Sequence, residues 1–292
     1  FAHLEFIHNT ILYKYAGLVW YNFVIDQFVI LNPLNIFVWL PGLYFFFFNK
    51  EGKKYNIIGI IYISAFLILL LNGKSKGEYL SPAYVMLFAA GGVFLEQITA
   101  KKYMRWLRYS LPMLILFSGA ALAPLAIPIL PVESFINYQR TLGMAPTTNE
   151  GLDLNELPQF YADMFGWEEM AKTVSKVYTS LPESERDSIV IFAHNYGEAG
   201  SLQYFSKKYP MPPVICVHNN YWIWGYPKTE FKNIIVIGGR LEDHKSSCDS
   251  VTQAAVVKSK YAIPYENNLP IYVCSGLIIS PAEIWQGEKL FM

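Results

Sequence analysis

Lys74, Lys76 and Tyr79 stand close together in NGKSKGEYLSPAY (72–84), a polar break between two apolar runs that are each long enough to be held in a bilayer. Two ammonium groups and a phenol at a membrane edge are groups that hold an oxyanion. Ser81 followed by Pro82 predicts an N-cap and first position of a helix, whose unpaired N–H groups and partial positive charge add to the same seat. The stretch therefore predicts a site for a lipid phosphate. The competing reading is that both lysines are solvated loop charges, the ordinary state of lysine.

Two later stretches set hydrogen-bonding side chains beside flat rings. IVIFA (189–193) reads as a short buried strand and runs into His194, Asn195, Tyr196, Gly197 and Glu198. Val214 to Val217 reads as another and runs into His218, Asn219, Asn220, Tyr221, Trp222, Ile223 and Trp224. In α/β sheets ligands sit at the carboxyl ends of strands. Hydroxyls need directed hydrogen bonds while the C–H face of a sugar packs on rings, so a carbohydrate or lipid-headgroup surface is expected. Its candidate residues are His194, Asn195, Tyr196, Glu198, His218, Asn219, Tyr221, Trp222 and Trp224. The alternative is that the tryptophans are core or dock on a membrane interface and the histidines are structural. Neither histidine has a second ligand at HxxxH spacing, so no metal site is expected. No GxGxxG, GxxxxGK[ST] or GxSxG occurs.

The elements that must position these groups follow from patterning. At 292 residues the chain has room for two domains, and 53% hydrophobic against 16% charged residues is apolar for a soluble protein. Residues 1–130 carry ten Lys/Arg and five Asp/Glu, while 131–292 carry thirteen and eighteen. A basic half thus precedes an acidic one. Residues 1–32 mix rings with charges and read as an amphipathic segment at the outer face. Residues 33–130 read as a membrane domain with four transmembrane helices at about 33–48, 56–72, 79–97 and 110–130, the last bent or broken by Pro124 and Pro128. The run 56–71 is short, roughly 24 Å at 1.5 Å per residue. Basic loops at 49–55 and 98–109 predict a common cytoplasmic side. Residues 1–31, the 74–79 break and everything after Pro131 then fall on the outer side.

Residues 131–155, rich in Pro, Gly, Thr and Asn, read as a linker with little regular structure. Residues 156–292 read as a soluble α/β domain with a partly parallel sheet. It has a helix at Trp167 to Leu181, strands at 189–193, 214–217 and 234–237, a helix at Gly197 to Tyr209, and a last strand starting at Tyr272 and Val273. Cys216, Cys248 and Cys274 are too few and too scattered for a disulfide framework, and their odd number leaves a thiol unpaired. The opening on Phe1, with no initiator methionine or basic leader, reads as a fragment without a signal peptide.

Several stretches together carry a resemblance: HLEFIHN (3–9), Gln27 with LNP (31–33), WLPGL (39–43) and KGEYLSPAYVMLFAAG (76–91). PQFYADMFGWEEM (158–170), IFAHNYGEAG (191–200), HNNYWIWG (218–225) and YAIPYENNLPIYVCSGL (261–277) continue it. In this order they resemble the later part of bacterial family-39 glycosyltransferases, relatives of the protein O-mannosyltransferases and the lipid A aminoarabinose transferase. The resemblance implies a GT-C type membrane domain followed by a periplasmic domain, in the bacterial inner membrane. It implies transfer of a sugar from a polyprenyl-phosphate donor to a lipid, glycan or protein acceptor, with no nucleic acid involved. Lys74, Lys76 and Tyr79 would contact the donor phosphate, although Glu78 stands where relatives often carry an uncharged residue. The catalytic carboxylate is expected upstream of this chain. No cofactor is expected in this part, and the complete enzyme leaves room for a divalent metal. Asp26 and Glu5 fall on the expected outer side, but neither reads convincingly as the base. The rival reading is a membrane-anchored glycan- or lipid-binding module without catalysis.

Overall fold

The computed structural model describes residues 2–15, 17–148, 150–226 and 231–292. Contacts divide the chain into a helical unit, Ile11–Met144 with Asn149–Gly151, and an α/β unit, Phe1–Thr10, Ala145–Thr148 and Leu152–Met292. Phe1 and Ala16 of the expected amphipathic segment, and Asn149 of the expected linker, lie outside the described residues.

The first helix, α1 (Ala2–Asn9), belongs to the α/β unit. The helical unit is built from α2 (Trp20–Val29), α3 (Ile36–Phe48), α4 (Asn56–Asn72), α5 (Tyr84–Thr99), α6 (Leu107–Ala126) and α7 (Val132–Thr141). Among the described residues three continuous helical stretches are long and apolar enough to cross a membrane: Lys53–Asn72, Gly77–Thr99 and Lys102–Ala126, of 20, 23 and 25 residues. The expected span at 33–48 differs from these. Its α-helix has only 13 residues, roughly 20 Å of rise against a ~30 Å hydrocarbon core. It reaches span length only together with α2, from which it is bent by 85°. The bend sits at Asn32, whose φ of 63° is left-handed, and Pro33, which has no N–H to continue a helix. In α6 the chain stays helical through Pro112 and Pro124 and stops at Ala126, so Pro124 does not break it. Ile127 is extended ahead of Pro128, as a residue before proline prefers.

The core of this unit is Phe23, Trp39, Tyr62, Leu80, Tyr84 and Leu87. Helices α3 and α5 touch backbone to backbone: a Cβ on Gly42 would overlap the Leu87 carbonyl oxygen, and one on Gly91 would overlap that of Val38. The expected unstructured linker begins instead with α7. Glu133 lies in its first turn and Arg140 in its last, and Phe135, Ile136 and Gln139 are buried. That buried stripe, at helical spacing, wins over the Pro- and Gly-rich residues that follow it.

In the α/β unit, α8 (Gln159–Ala162), α9 (Trp167–Ser180) and α10 (Glu183–Arg186) lead into β1 (Ile189–Ala193) and α11 (Tyr196–Phe205). β2 (Val214–Cys216), α12 (Asn220–Trp224), β3 (Asn233–Ile237), α13 (Leu241–Lys245), β4 (Cys248–Val256), β5 (Pro270–Leu277) and α14 (Pro281–Gly287) follow. The strand order is β2-β1-β3-β5-β4. β1 runs parallel to β2 and β3, while β5 is antiparallel to both β3 and β4. Side chains alternate across the sheet. Ile189, Ile191, Ile235 and Ile237 face a core with Met170, Val174 and Leu202, whereas Val190, Phe192, Ile234 and Val236 face one with Cys274 and Trp285.

β4 has no counterpart among the expected strands. It is an edge strand whose residues are mostly exposed, so it lacks the apolar run that marked the central ones. Its pairing with β5 also brings two of the three cysteines together. Residues 26 apart in sequence come to a Cα–Cα distance of 5.8 Å, and Cys248 and Cys274 form a disulfide. Cys216 is free and buried.

Candidate functional site

The connector between α4 and α5 is pinned from below. Asn72 and Ser75 close it, Ser75 donating its hydroxyl to the Leu69 carbonyl at 2.8 Å. The buried Gln27 amide donates to the carbonyls of Phe23 (2.8 Å) and Gly77 (3.2 Å). Its own oxygen accepts from Tyr84, which in turn accepts from Tyr62. Asp26 packs so tightly on Gly77 that any Cβ there would strike it.

The helix does not start at Ser81. A 3₁₀ turn, Gly77–Ala83, precedes α5 and contains both Ser81 and Pro82; its N-cap is Lys76, with φ −75° and ψ 143°. The open N–H groups therefore belong to the residues at the head of this turn, beside the lysines and not beyond them. Lys76 is largely buried, its side chain 16% exposed, and its Nζ lies 3.6 Å from Glu150 Oε1. The Tyr79 hydroxyl meets that of Tyr15 at 2.5 Å, and its phenol also feels Glu78 and Glu150. Lys74 is half-buried and forms no ion pair among the described residues. The three predicted donor contacts thus share one short connector, with Glu78 and Glu150 among them.

At the carboxyl end of β1 a capping box starts α11. The Asn195 side chain accepts from the Glu198 N–H at 2.9 Å, and the Glu198 carboxylate accepts from the N–H groups of His194 (2.8 Å) and Asn195 (3.4 Å). Asn195 also donates to Glu266 Oε1 at 2.8 Å. Both carboxyls are buried. Burial, with the Glu266 charge second, pushes Glu198 up to about 8, and burial also raises Glu266. Burial, with His244 second, holds the His194 imidazole below its ordinary value.

The other predicted surface residues have different engagements. Tyr196 packs on buried His218 with ring centroids 4.7 Å apart. Asn219 exchanges hydrogen bonds with Met292. Trp222 donates its indole N–H to the Trp285 carbonyl at 2.9 Å and packs on Phe291. Tyr221 donates to Gln203 and lies edge-on to Trp224, which is 70% exposed. The nine candidates therefore do not form one surface. His194 turns to one face of the sheet, Glu198 lies in a buried carboxyl pair with Glu266 to which Asn195 is bonded, and Tyr196, Tyr221 and Trp224 keep ring area outside.

Sequence reasoning did not single out Glu266 and His244. Glu266 ends a 3₁₀ turn, Pro264–Glu266, 71 residues from Asn195, and His244 sits on α13 with its ring 6.4 Å from that of His194. Glu266 lay in the stretch 261–277 and His244 in a short charged segment, neither with a spacing that marked it, and tertiary packing alone brings them to Asn195 and His194. Among the described residues no group of three or more His, Cys, Asp or Glu side chains could hold a metal ion.

The fold and these sites define a chain in which bilayer-length apolar helices are joined to a five-stranded mixed α/β unit. Compared with known proteins, it matches no family model, no curated protein and no solved structure.

Proposed function

We propose that the chain is the later part of an integral-membrane glycosyltransferase of the bacterial cell membrane, taking a sugar from a polyprenyl-phosphate donor. The α/β unit lies on the periplasmic side in this reading. The observation that carries it is Lys76, a largely buried ammonium at the start of a 23-residue apolar helix, whose ionic neighbour among the described residues is the Glu150 carboxylate at 3.6 Å. An ammonium has three N–H donors and the Glu150 contact is long, so a lipid phosphate oxygen is a better partner than Glu150. Lys74, the Tyr79 hydroxyl and the N–H groups heading the 3₁₀ turn complete the seat.

In the reaction an acceptor hydroxyl attacks the anomeric carbon, the carbon–phosphate oxygen bond breaks, and the polyprenyl phosphate departs as an anion onto these donors. The acceptor proton passes to a base outside this seat. The disulfide supports the periplasmic side, because such bonds persist in oxidising compartments.

The test is turnover of a polyprenyl-phosphate sugar by the complete protein. Lys76→Ala and Tyr79→Phe each cut it by roughly tenfold to a hundredfold, the weight of a charge-assisted hydrogen bond, with folding intact. Wild-type turnover in both removes the proposal. The exposed Trp224 beside Tyr221 favours a second reading, a glycan-binding module without catalysis. There Trp224→Ala abolishes glycan binding while Lys76→Ala leaves it unchanged.

A further inference from the structure

The sheet face formed by Phe192, Ile234 and Val236 carries two short helices, α13 and α14, of five and seven residues. Between them lies a cavity of about 400 Å³, within the range of small-molecule sites. Its floor is apolar, made by these three side chains with the Cys248–Cys274 disulfide. At the carboxyl ends of β1 and β3 it is lined by His194 and His244. His244 Nε2 is engaged with the Gly238 carbonyl at 3.2 Å. His194 Nε2 is buried and has no hydrogen-bond partner among the described residues.

Such an atom costs free energy until something bonds it. The remaining polar lining is carboxylate: Asp243 from α13, and Glu283 and Glu288 from the α14 side. Asp243 is bound to Arg240 and Glu283 to Ser280. Glu288 makes no ion pair among the described residues, and no lysine or arginine lines the cavity.

We propose that this cavity is a binding site for a compact organic cation: an amine at the Glu283–Glu288 wall, an apolar ring on the floor, and a hydroxyl bonded to His194 Nε2. An anion is disfavoured, because it would meet three carboxylates and no cation. A wholly apolar molecule would leave the imidazole nitrogen unbonded. The site is distinct from the Lys74–Tyr79 connector and is independent of the transferase reading.

The experiment titrates the full-length chain in detergent with tyramine, with 4-hydroxyphenylacetate, which keeps the phenol and reverses the charge, and with phenethylamine, which lacks the hydroxyl. Binding is followed calorimetrically and by side-chain NMR of ¹⁵N-labelled histidine. Saturable tyramine binding that shifts the His194 resonance is expected, with each of the other two probes weaker by roughly tenfold, one charged or hydrogen-bonded contact. His194→Phe removes the preference for tyramine over phenethylamine, and Glu288→Gln reduces the preference for cation over anion. If His194→Phe fails to fold, the wild-type His194 resonance decides. The proposal is overturned if tyramine does not saturate at millimolar concentration, if the anion binds equally well, or if the His194 resonance stays fixed.

Discussion

Glu198→Gln tests whether the α/β unit holds a carboxylic acid in its neutral form. In the folded chain Glu198 titrates at about 8 against 4.5 for an ordinary glutamate, because burial and the Glu266 carboxyl disfavour its ionised form. A raised carboxyl pKa means that the folded state keeps a proton that the unfolded chain releases. Its stability is therefore full below pH 4.5 and falls as pH rises toward 8. Each unit within that window is worth about 1.4 kcal/mol, so the loss approaches an upper figure of about 5 kcal/mol. Glutamine keeps an oxygen for the N–H groups of His194 and Asn195 but has nothing to ionise.

Cys216 reports the change without an added label. It is free and packs with Ala193 and Ala199, next to Glu198 in sequence, and burial pushes its thiol up to about 11. Alkylation therefore requires opening of this region. Its protection relative to the denatured chain should fall by up to roughly tenfold per pH unit between about pH 5 and 8 in the wild type. In Glu198→Gln the slope is much shallower, and what remains comes from the raised Glu266. Equal slopes in the two proteins, or a flat wild-type profile, would refute the reasoning.

Other expectations rest on packing and covalent links. Gly91→Ala drives a methyl into the Val38 carbonyl and should cost about 1–3 kcal/mol or more of helical-unit stability by thermal or steric-trapping measurements. Gly92→Ala, with nothing within 4 Å, should be neutral or stabilising by about 0.5–1 kcal/mol. Removing the disulfide by Cys248→Ser with Cys274→Ser opens a closed loop of 26 residues. On the chain-entropy account this lowers α/β-unit stability by about 3.5 kcal/mol, read as a shifted denaturation midpoint, and reductant should then have no further effect on that transition.

Much of the framework was legible in the amino-acid order because it depends on local pattern. The apolar runs over 56–72 and 79–97 each lie within a helix of bilayer length, and the run over 110–130 does so as far as Ala126, since continuous hydrophobicity over about 20 residues has few other outcomes. IVIFA at 189–193 and the following polar residues gave a strand and a capped helix, because buried parallel strands are uniformly apolar. The sequence could not show that α2 and α3 meet at 85°, which hangs on the backbone of Asn32. It also could not show that α5 is preceded by a 3₁₀ turn starting at Gly77, since Ser-Pro serves as a start signal in either case.

The sites divide the same way. Residue types along 72–79 and 194–224 announced charge, amide and ring. Whether Trp222 would be a surface platform or spend its N–H on Trp285, and whether Glu198 would face solvent or the Glu266 carboxyl, was decided by packing between segments distant in sequence. β4 and the Cys248–Cys274 link belong to the same class, because an edge strand with exposed side chains has no pattern of its own and takes its place from the neighbour that pairs with it. Pattern along the chain determined which segments leave water; only the three-dimensional packing decided which polar groups went with them, because contacts between residues distant in sequence set the solvation and charge that each one meets.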